Sequence, residues 1–544
     1  MDIPNYLGIV VGGSLEQGLE VRLESPASVE DINVGTFVTV QGNRSRFFGI
    51  ITDVSLGVSD PRLRFSPPAV SDTFIHQVLL GTTAFGIIAV RPTLIIPAVR
   101  GDDTELLPAK TVPPHFSRVY LANEADVEVV FGKEDKRHFW IGNPLDMETK
   151  VCLDLRALVE RSNGIFGKSG TGKTFLTRLL LTGILQSDVA TSLVFDMHNE
   201  YGWKGVQEGG REVKGLKPMF PSKVAIFSLD EASSRRRGAT PDWVVSIGYN
   251  EIEPADIELL RDTLNLSDIA SSYTYSLERE WGSAWLDTFL DDGSRENLDN
   301  IAAKYSMNQQ ALGALRNRLQ RLNRFDFLTS GSGNKSVKQI LDYLDRGMHV
   351  ILEFGRYGDN LAAYMLVANV LTRRIHQRYV ARKEAAMAGG GNEPRPLVIT
   401  IEEAHKFLGP AISSQTIFGT IAREMRKYNV TLLVIDQRPS AIDSEVMSQI
   451  GTKIACLLDN ERDVDAVLTG VSGARELRSV LSRLDSRQQA LILGHSVPVP
   501  VVVRTREYGS KESYEQIAQW TREGSSDIDQ DKLRTFEEEL EDLY

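Results

Sequence analysis

The segment that most restricts the fold is Gly167-Lys168-Ser169-Gly170-Thr171-Gly172-Lys173-Thr174, set between the apolar runs SNGIF and TFLTRLLLTGIL. It matches G-x-x-x-x-G-K-[ST] at every fixed position. A strand that turns at once into a helix needs glycine at the turn. Only without a Cβ in the way can successive backbone N–H groups point inward and cradle phosphate. The N-terminus of the following helix adds its partial positive charge. In such a loop Lys173 reaches the β- and γ-phosphates of a nucleotide, and the Thr174 hydroxyl ligates Mg²⁺.

The rest of the chain is read around that turn. Its 544 residues correspond to about three to four domains. Apolar residues at 42% and charged residues at 25% are globular values, which exclude global disorder and a small stapled scaffold. Two cysteines, Cys152 and Cys456, exclude a disulfide framework or a cysteine zinc site and suit a reducing cytoplasm. The most apolar stretch, Phe85 to Val99, is cut by Arg91, Pro92 and Pro97, too early for the roughly 20 apolar residues of a membrane span. The start, MDIPNYLGIV, lacks the basic and apolar regions of a signal peptide. A net charge of −12 argues against a coat of nucleic acid but leaves room for a local basic channel.

Residues 1–150 read as β, with short runs at Leu19–Leu23, Thr36–Val40, Phe47–Val54 and Ala84–Val90 that predict a small barrel or sandwich. Residues 151–251 alternate strand and helix, the mark of a parallel sheet with crossover helices, and the pattern returns over 346–508. Between them, 252–345 reads as a helical insertion. Leu312, Leu315, Leu319 and Leu322 form its stripe, and Arg316, Arg318, Arg321 and Arg324 fall largely off it. Residues 509–544 are a C-terminal helix and acidic tail, whose last 21 residues carry 8 acids against 2 bases.

Further chemistry lies at strand ends, where α/β sheets bind ligands. The run Leu397–Ile401 ends in Glu402 and Glu403. A P-loop enzyme needs one carboxylate by its Mg²⁺ and often another to orient and deprotonate water. We assign Glu402 to the metal and Glu403 to the water; the alternative is a pair that caps the next helix. Val430–Ile435 leads to Asp436 and Gln437, and Gln437 senses the γ-phosphate or orients the water, or else is a turn residue. In FDMHNEY, Asp196, His198 and Glu200 follow the strand after the glycine loop and are expected to position water or support the ligands rather than hold zinc, with a purely structural His198 as the alternative. Arg426, and next Arg423, on the helix before Val430, are candidates to neutralise phosphoryl charge across a subunit boundary, or else surface salt-bridge partners. Trp203, Lys204, Arg211, Lys214 and Lys217 in a glycine-rich loop, Lys406, and Arg235 to Arg237 are candidates for DNA phosphate contact or are plain solvated bases.

The order of these motifs, FGKSGTGKT, FDMHNEY, IEEAHKFL, IAREMRKYNVTLLVIDQRPS and QQALILGHSVPVPVVVR after a β-rich start, resembles the HerA family of hexameric DNA translocases, relatives of the FtsK-type pumps. The resemblance implies an α/β fold with a RecA-like P-loop NTPase core, an N-terminal HAS barrel and a helical insertion. It implies ATP and Mg²⁺ as ligands, a homo-hexamer with ATP at subunit boundaries, and duplex DNA through the central hole. A partner nuclease of the NurA type or an anti-phage defence effector is also implied. Lys173, Thr174, Glu403, Gln437 and Arg426 match family motif positions, whereas Glu402 stands where many relatives have Asp. The resulting expectation is an ATP-driven double-stranded DNA translocase or helicase, cytoplasmic and without a membrane anchor. An ATP-binding scaffold ring that regulates a partner effector, and a protein-secretion ATPase, are the alternatives.

Overall fold

The computed structural model describes residues 5–24, 27–65, 73–79, 82–96, 106–206, 212–291, 295–331, 335–413, 416–471, 473–485 and 488–523. The acidic tail, Arg211 and the start of the 101–114 loop lie outside them.

The N-terminal strands close on themselves. Gly18–Leu23, Tyr6–Ser14, Arg118–Leu121, Phe37–Gln41, Arg46–Val58 and Ala84–Ile96 pair antiparallel in that order, and the last returns to the first through Leu19↔Val90 and Arg22↔Ile87. Closure leaves these strands no long unpaired edge, and alternate residues such as Leu19, Val21, Val38, Val40 and Val90 fill the interior. Tyr6–Ser14 and Arg118–Leu121 were not among the expected runs. The first is glycine-rich, and the second is four residues long.

The barrel is seated on the rest of the chain by a shared apolar layer. Phe37 packs on Phe48 and on Phe131 of helix Glu124–Phe131, at 5.0 and 5.5 Å between ring centroids. The same cluster continues to Phe139, Ile165 and Leu176. Arg46 of the barrel pairs with buried Asp126 at the start of that helix.

The second body is built on one twelve-stranded sheet. Eight parallel strands run in the order Trp243–Val244, Val224–Ser228, His349–Glu353, Thr191–Asp196, Leu397–Glu402, Val430–Asp436, Asn163–Phe166, Thr452–Ala455. Four antiparallel strands extend it: Gln489–Gly494, Val501–Thr505, His138–Pro144 and Val151–Asp154. The central strands are buried along their whole length, as parallel strands covered on both faces must be. Helices Lys173–Ser187 and Leu361–Met387 supply much of that cover. The hairpin His138–Asp154 belongs to this sheet, and residue 150 lies at the end of its turn. Val224–Ser228 was not among the expected strands either, since a five-residue apolar run has no period of its own.

Residues 254–345 form the helical insertion. Trp285 is wholly buried and its indole N–H donates to Ile252 O at 2.9 Å. Leu312, Leu315, Leu319 and Leu322 are all buried as the stripe required, but so is Arg316, whose guanidinium donates to Asp291 O at 2.7 Å. The insertion is tied to the long helix through Asp256, which accepts from Asn369 at 2.6 Å and Arg373 at 2.8 Å.

Candidate active site

Strand Asn163–Phe166 is flanked by Val430–Asp436 and Thr452–Ala455. The loop that leaves it is therefore held from both sides: Gly167 N donates to Asp436 O at 3.3 Å, and Lys168 N to Leu457 O at 3.0 Å. At Gly167 a Cβ would lie 2.8 Å from both Cys456 Cβ and Thr171 Oγ1, so space demands glycine. At Gly172 the surroundings are open, but φ is +88°, so backbone conformation demands it. Ser169 and Gly170 are exposed. The backbone carbonyl oxygen of Lys168 accepts from Thr171 Oγ1 and from Lys173 Nζ, each at 2.8 Å, while the Lys168 ammonium pairs with Asp459 at 3.1 Å. Burial lowers the pKa of Lys173, opposed by Glu403, Asp436 and Glu402. Thr174 follows on the first turn of the helix.

Because the strands are parallel, their carboxyl ends meet on one edge of the sheet. Ser169–Leu176, His198, Glu200, Glu402, Glu403, Asp436 and Gln437 line one cleft of about 560 Å³ there. Glu402 ends its strand buried. Its Oε1 accepts from the Tyr201 hydroxyl at 2.8 Å, and its Oε2 has no partner among the described residues. Burial, reinforced by Asp196, pushes its pKa up to about 8. An orphaned carboxylate oxygen and the Thr174 hydroxyl on the same cleft are oxygen donors of the kind Mg²⁺ takes, and Mg²⁺ uses only one or two protein carboxylates. No cluster of three His, Cys, Asp or Glu able to hold a metal occurs among the described residues. The donor set thus fits Mg²⁺ shared with phosphate.

Glu403 adopts a left-handed backbone, φ +50°, at a cost of about 1–3 kcal/mol for a non-glycine residue, and such strain clusters at functional sites. Gln437, exposed at the end of the neighbouring strand, donates its amide to Glu403 Oε1 at 3.3 Å.

The FDMHNEY group divides. Asp196 is wholly buried, and its carboxylate accepts the backbone N–H of Glu200 at 2.8 Å and of Tyr201 at 2.9 Å. Burial and then Glu353 push its pKa up to about 7. It folds the turn, whereas His198 and Glu200 line the cleft. Arg423 is held within its own chain by Glu445 at 3.1 Å and Ser413 Oγ at 3.2 Å. The Arg426 side chain is exposed and has no hydrogen-bond or ion-pair partner among the described residues.

Most of the basic candidates are already engaged. Lys204 pairs with Glu212 at 2.7 Å across the hairpin Lys204–Val206/Glu212–Lys214. Lys214 lies 5.4 Å from the Tyr514 ring centre, and its carbonyl accepts from the Tyr508 hydroxyl at 2.9 Å. Lys217 is fastened to Val224 O at 2.8 Å and Asp242 at 3.1 Å, Arg235 to Glu231 at 2.6 Å, and Arg237 to Glu353 at 2.7 Å. Trp203 and Lys406 are half-buried and Arg236 is exposed.

Several residues to which the sequence assigned no role contribute to the site. Tyr201 joins FDMHNEY to the acidic strand, and Asp436 binds His405. Gln488, Gln489 and the stretch 505–508 close the far end of the cleft, brought there by the antiparallel strands. His405 had a signal, its place in IEEAH beside the two acids. The others depend on strand order.

A glycine cradle, an acidic strand two positions away in a parallel sheet, and an amide-bearing strand between them define a RecA-like P-loop ATPase. The family model for the central domain of helicase HerA matches residues 139–375, and that for the HAS barrel domain matches 7–108. A probable DNA double-strand break repair helicase HerA of Methanocaldococcus jannaschii is 30% identical over 446 residues, 76% of this chain and 85% of that protein. The DNA double-strand break repair helicase HerA of Sulfurisphaera tokodaii is 24% identical over 524 residues, 93% of this chain and 94% of that protein. Among solved structures, the bacterial conjugative coupling protein TrwB superposes with a TM-score of 0.46 and 11% identity, covering 72% of this chain and 94% of that one. The chain belongs to the HerA family of helicase ATPases.

Proposed function

We propose that the protein is an ATP-driven motor on double-stranded DNA, acting as a homo-hexameric ring in the cytoplasm with a partner nuclease or defence effector. The observation that carries this is the single cleft shared by the glycine loop, the paired acids and Gln437. In this reading Gly167–Thr174 binds the phosphates of ATP, and the Lys173 ammonium exchanges Lys168 O for phosphate oxygen. Thr174 and Glu402 would hold Mg²⁺, which supplies charge neutralisation at the phosphates when bound. Glu403, oriented by Gln437, takes the proton of the water that attacks the γ-phosphate. His198 and Glu200 border that water.

Arg426 cannot serve its own cleft. It precedes Val430 by four residues, while the cleft lies beyond Asp436 at the other end of a seven-residue strand. At about 3.3 Å per residue the separation is roughly 20 Å. An exposed arginine so placed suits the cleft of a neighbouring subunit, which supports the ring. The chain's net charge of −12 confines DNA binding to local basic groups, Lys406 first among those not already paired. Lys204, Lys214 and Arg211 are secondary candidates.

The test is the ATPase rate of the full chain with and without duplex DNA, and with and without a partner nuclease. Stimulation by duplex DNA that falls steeply with added salt is expected. A rate indifferent to DNA but changed by the partner would transfer the assignment to a regulatory scaffold ring.

A further inference from the structure

The two oxygens of Glu403 face different donors. Gln437 Nε2 lies 3.3 Å from Oε1, and His405 Nε2 lies 3.9 Å from Oε2. His405 is itself anchored: its backbone N–H donates to Asp436 Oδ2 at 2.8 Å, and its Nδ1 lies 2.9 Å from the same oxygen. The Asp436 side chain is wholly buried, and it also accepts from Arg438 N at 2.7 Å. Asp436, His405 and Glu403 therefore form a row that starts inside the sheet and ends in the cleft. The left-handed backbone at Glu403 makes the row possible, because it turns the chain off its strand so that the residue two positions on faces the neighbouring strand end.

We propose that His405 is a positioning residue for ATP hydrolysis, fixing the Glu403 carboxylate from one side while Gln437 fixes it from the other. The inference rests on Glu403 being the group that deprotonates water. With Nδ1 committed to Asp436, the Nε2 proton that faces Glu403 exists only in the imidazolium. The charged groups around the ring are Asp436 and Glu403, which favour the imidazolium, and Lys406, which opposes it. The hydrogen bond to Asp436 is the largest influence and raises the pKa of His405. A carboxylate held by a cation and an amide keeps its position through each cycle, whereas a carboxylate held by the amide alone can rotate away from the water.

The experiment compares wild type, His405→Gln and His405→Ala with Glu403→Ala as the reference, at several pH values, on the full chain. His405→Gln keeps a donor for Asp436 but never carries the charge. Binding of a fluorescent ATP analogue should be retained within about twofold in both His405 variants. We expect kcat to fall about 10-fold in His405→Gln and further in His405→Ala, with KM for ATP within about twofold. The wild-type kcat should decline with rising pH as the imidazolium is lost, and that limb should vanish in His405→Gln. Superimposable pH profiles after scaling, or KM rising in step with the fall in kcat, would overturn the proposal. If Glu403→Ala still hydrolyses ATP, the underlying reading fails; if Glu403→Ala is inactive and His405→Gln behaves as wild type, only the role of His405 fails.

Discussion

The hydroxyl of Tyr201 donates to Oε1 of Glu402 at 2.8 Å, joining residues 201 positions apart. One end of this bond closes the turn built on Asp196, and the other is the last residue of the acidic strand. The Tyr201 ring and the Glu402 carboxylate are both buried, so neither can turn to solvent if the other is lost. Tyr201→Phe leaves both Glu402 oxygens unpaired, a loss of about 1–3 kcal/mol that thermal unfolding should register. Misorientation of Glu402 should also raise the Mg²⁺ concentration for half-maximal ATP turnover by about 10-fold or more. An unchanged Mg²⁺ requirement would place the metal on other ligands.

Lys173→Ala and Glu403→Ala should both fold, with thermal midpoints close to wild type, since neither side chain supports the core. ATP turnover should fall by on the order of 10²-fold or more in each. Lys173→Ala should also weaken nucleotide binding, whereas Glu403→Ala should not. Wild-type turnover in either protein, measured by phosphate release, removes that residue from the chemistry.

The two arginines should separate cleanly. Arg426→Ala should leave stability intact and reduce ATP turnover by about 10³-fold or more, as for a lost arginine finger. Mixing Arg426→Ala with Lys173→Ala protomers should restore part of the activity, because each supplies what its neighbour lacks. Arg423→Ala should lower the thermal midpoint, because it breaks contacts to Ser413 and Glu445 in the same chain. Failure of mixing to restore activity would count against a shared site.

Gly167→Ala and Gly172→Ala should fail for different reasons. At Gly167 the added methyl meets Cys456 and Thr171, and the loop must move, so nucleotide affinity should drop sharply. At Gly172 nothing blocks the methyl, and the cost is the left-handed backbone, about 1–2 kcal/mol. Gly172→Asn should recover part of the loss, since Asn tolerates that conformation, whereas Gly167→Asn should not. Affinity for a fluorescent nucleotide distinguishes the two.

His349 is buried at the start of its strand, 2.9 Å from Ser192 Oγ, and burial, with Lys223 and Arg395 adding to it, pushes its pKa down to about 3. The unfolded chain takes up this proton near pH 6.5 and the folded chain does not until about 3. Stability is therefore complete above pH 6.5 and is lost as pH falls through the window between the two values. Between pH 6.5 and 5 the loss is about 2 kcal/mol. Urea midpoints across that range should slope less steeply in His349→Gln than in wild type.

By itself the chain already specified its glycine turn, its helical stripe through Leu312 to Leu322 and its acidic strand end. Each of these depends on residues a few positions apart: a φ only glycine adopts freely, a 3.6-residue period, a carboxylate where an apolar run stops. The same locality explains what stayed hidden. Asp196 was expected to position water or support the ligands, and its carboxylate accepts the amides of its own turn, which no short-range pattern reveals. Lys214 and Lys217 read as open bases and are held against Tyr514 and Asp242. Tertiary structure alone set the strand order that puts Val430–Asp436 between the glycine loop and the two acids, the closure of the barrel through Leu19 and Val90, and the row from Asp436 to Glu403. Those arrangements come from long-range pairing and shared burial, in which a residue's partner is chosen by the sheet as a whole, and no short stretch of sequence carries that choice.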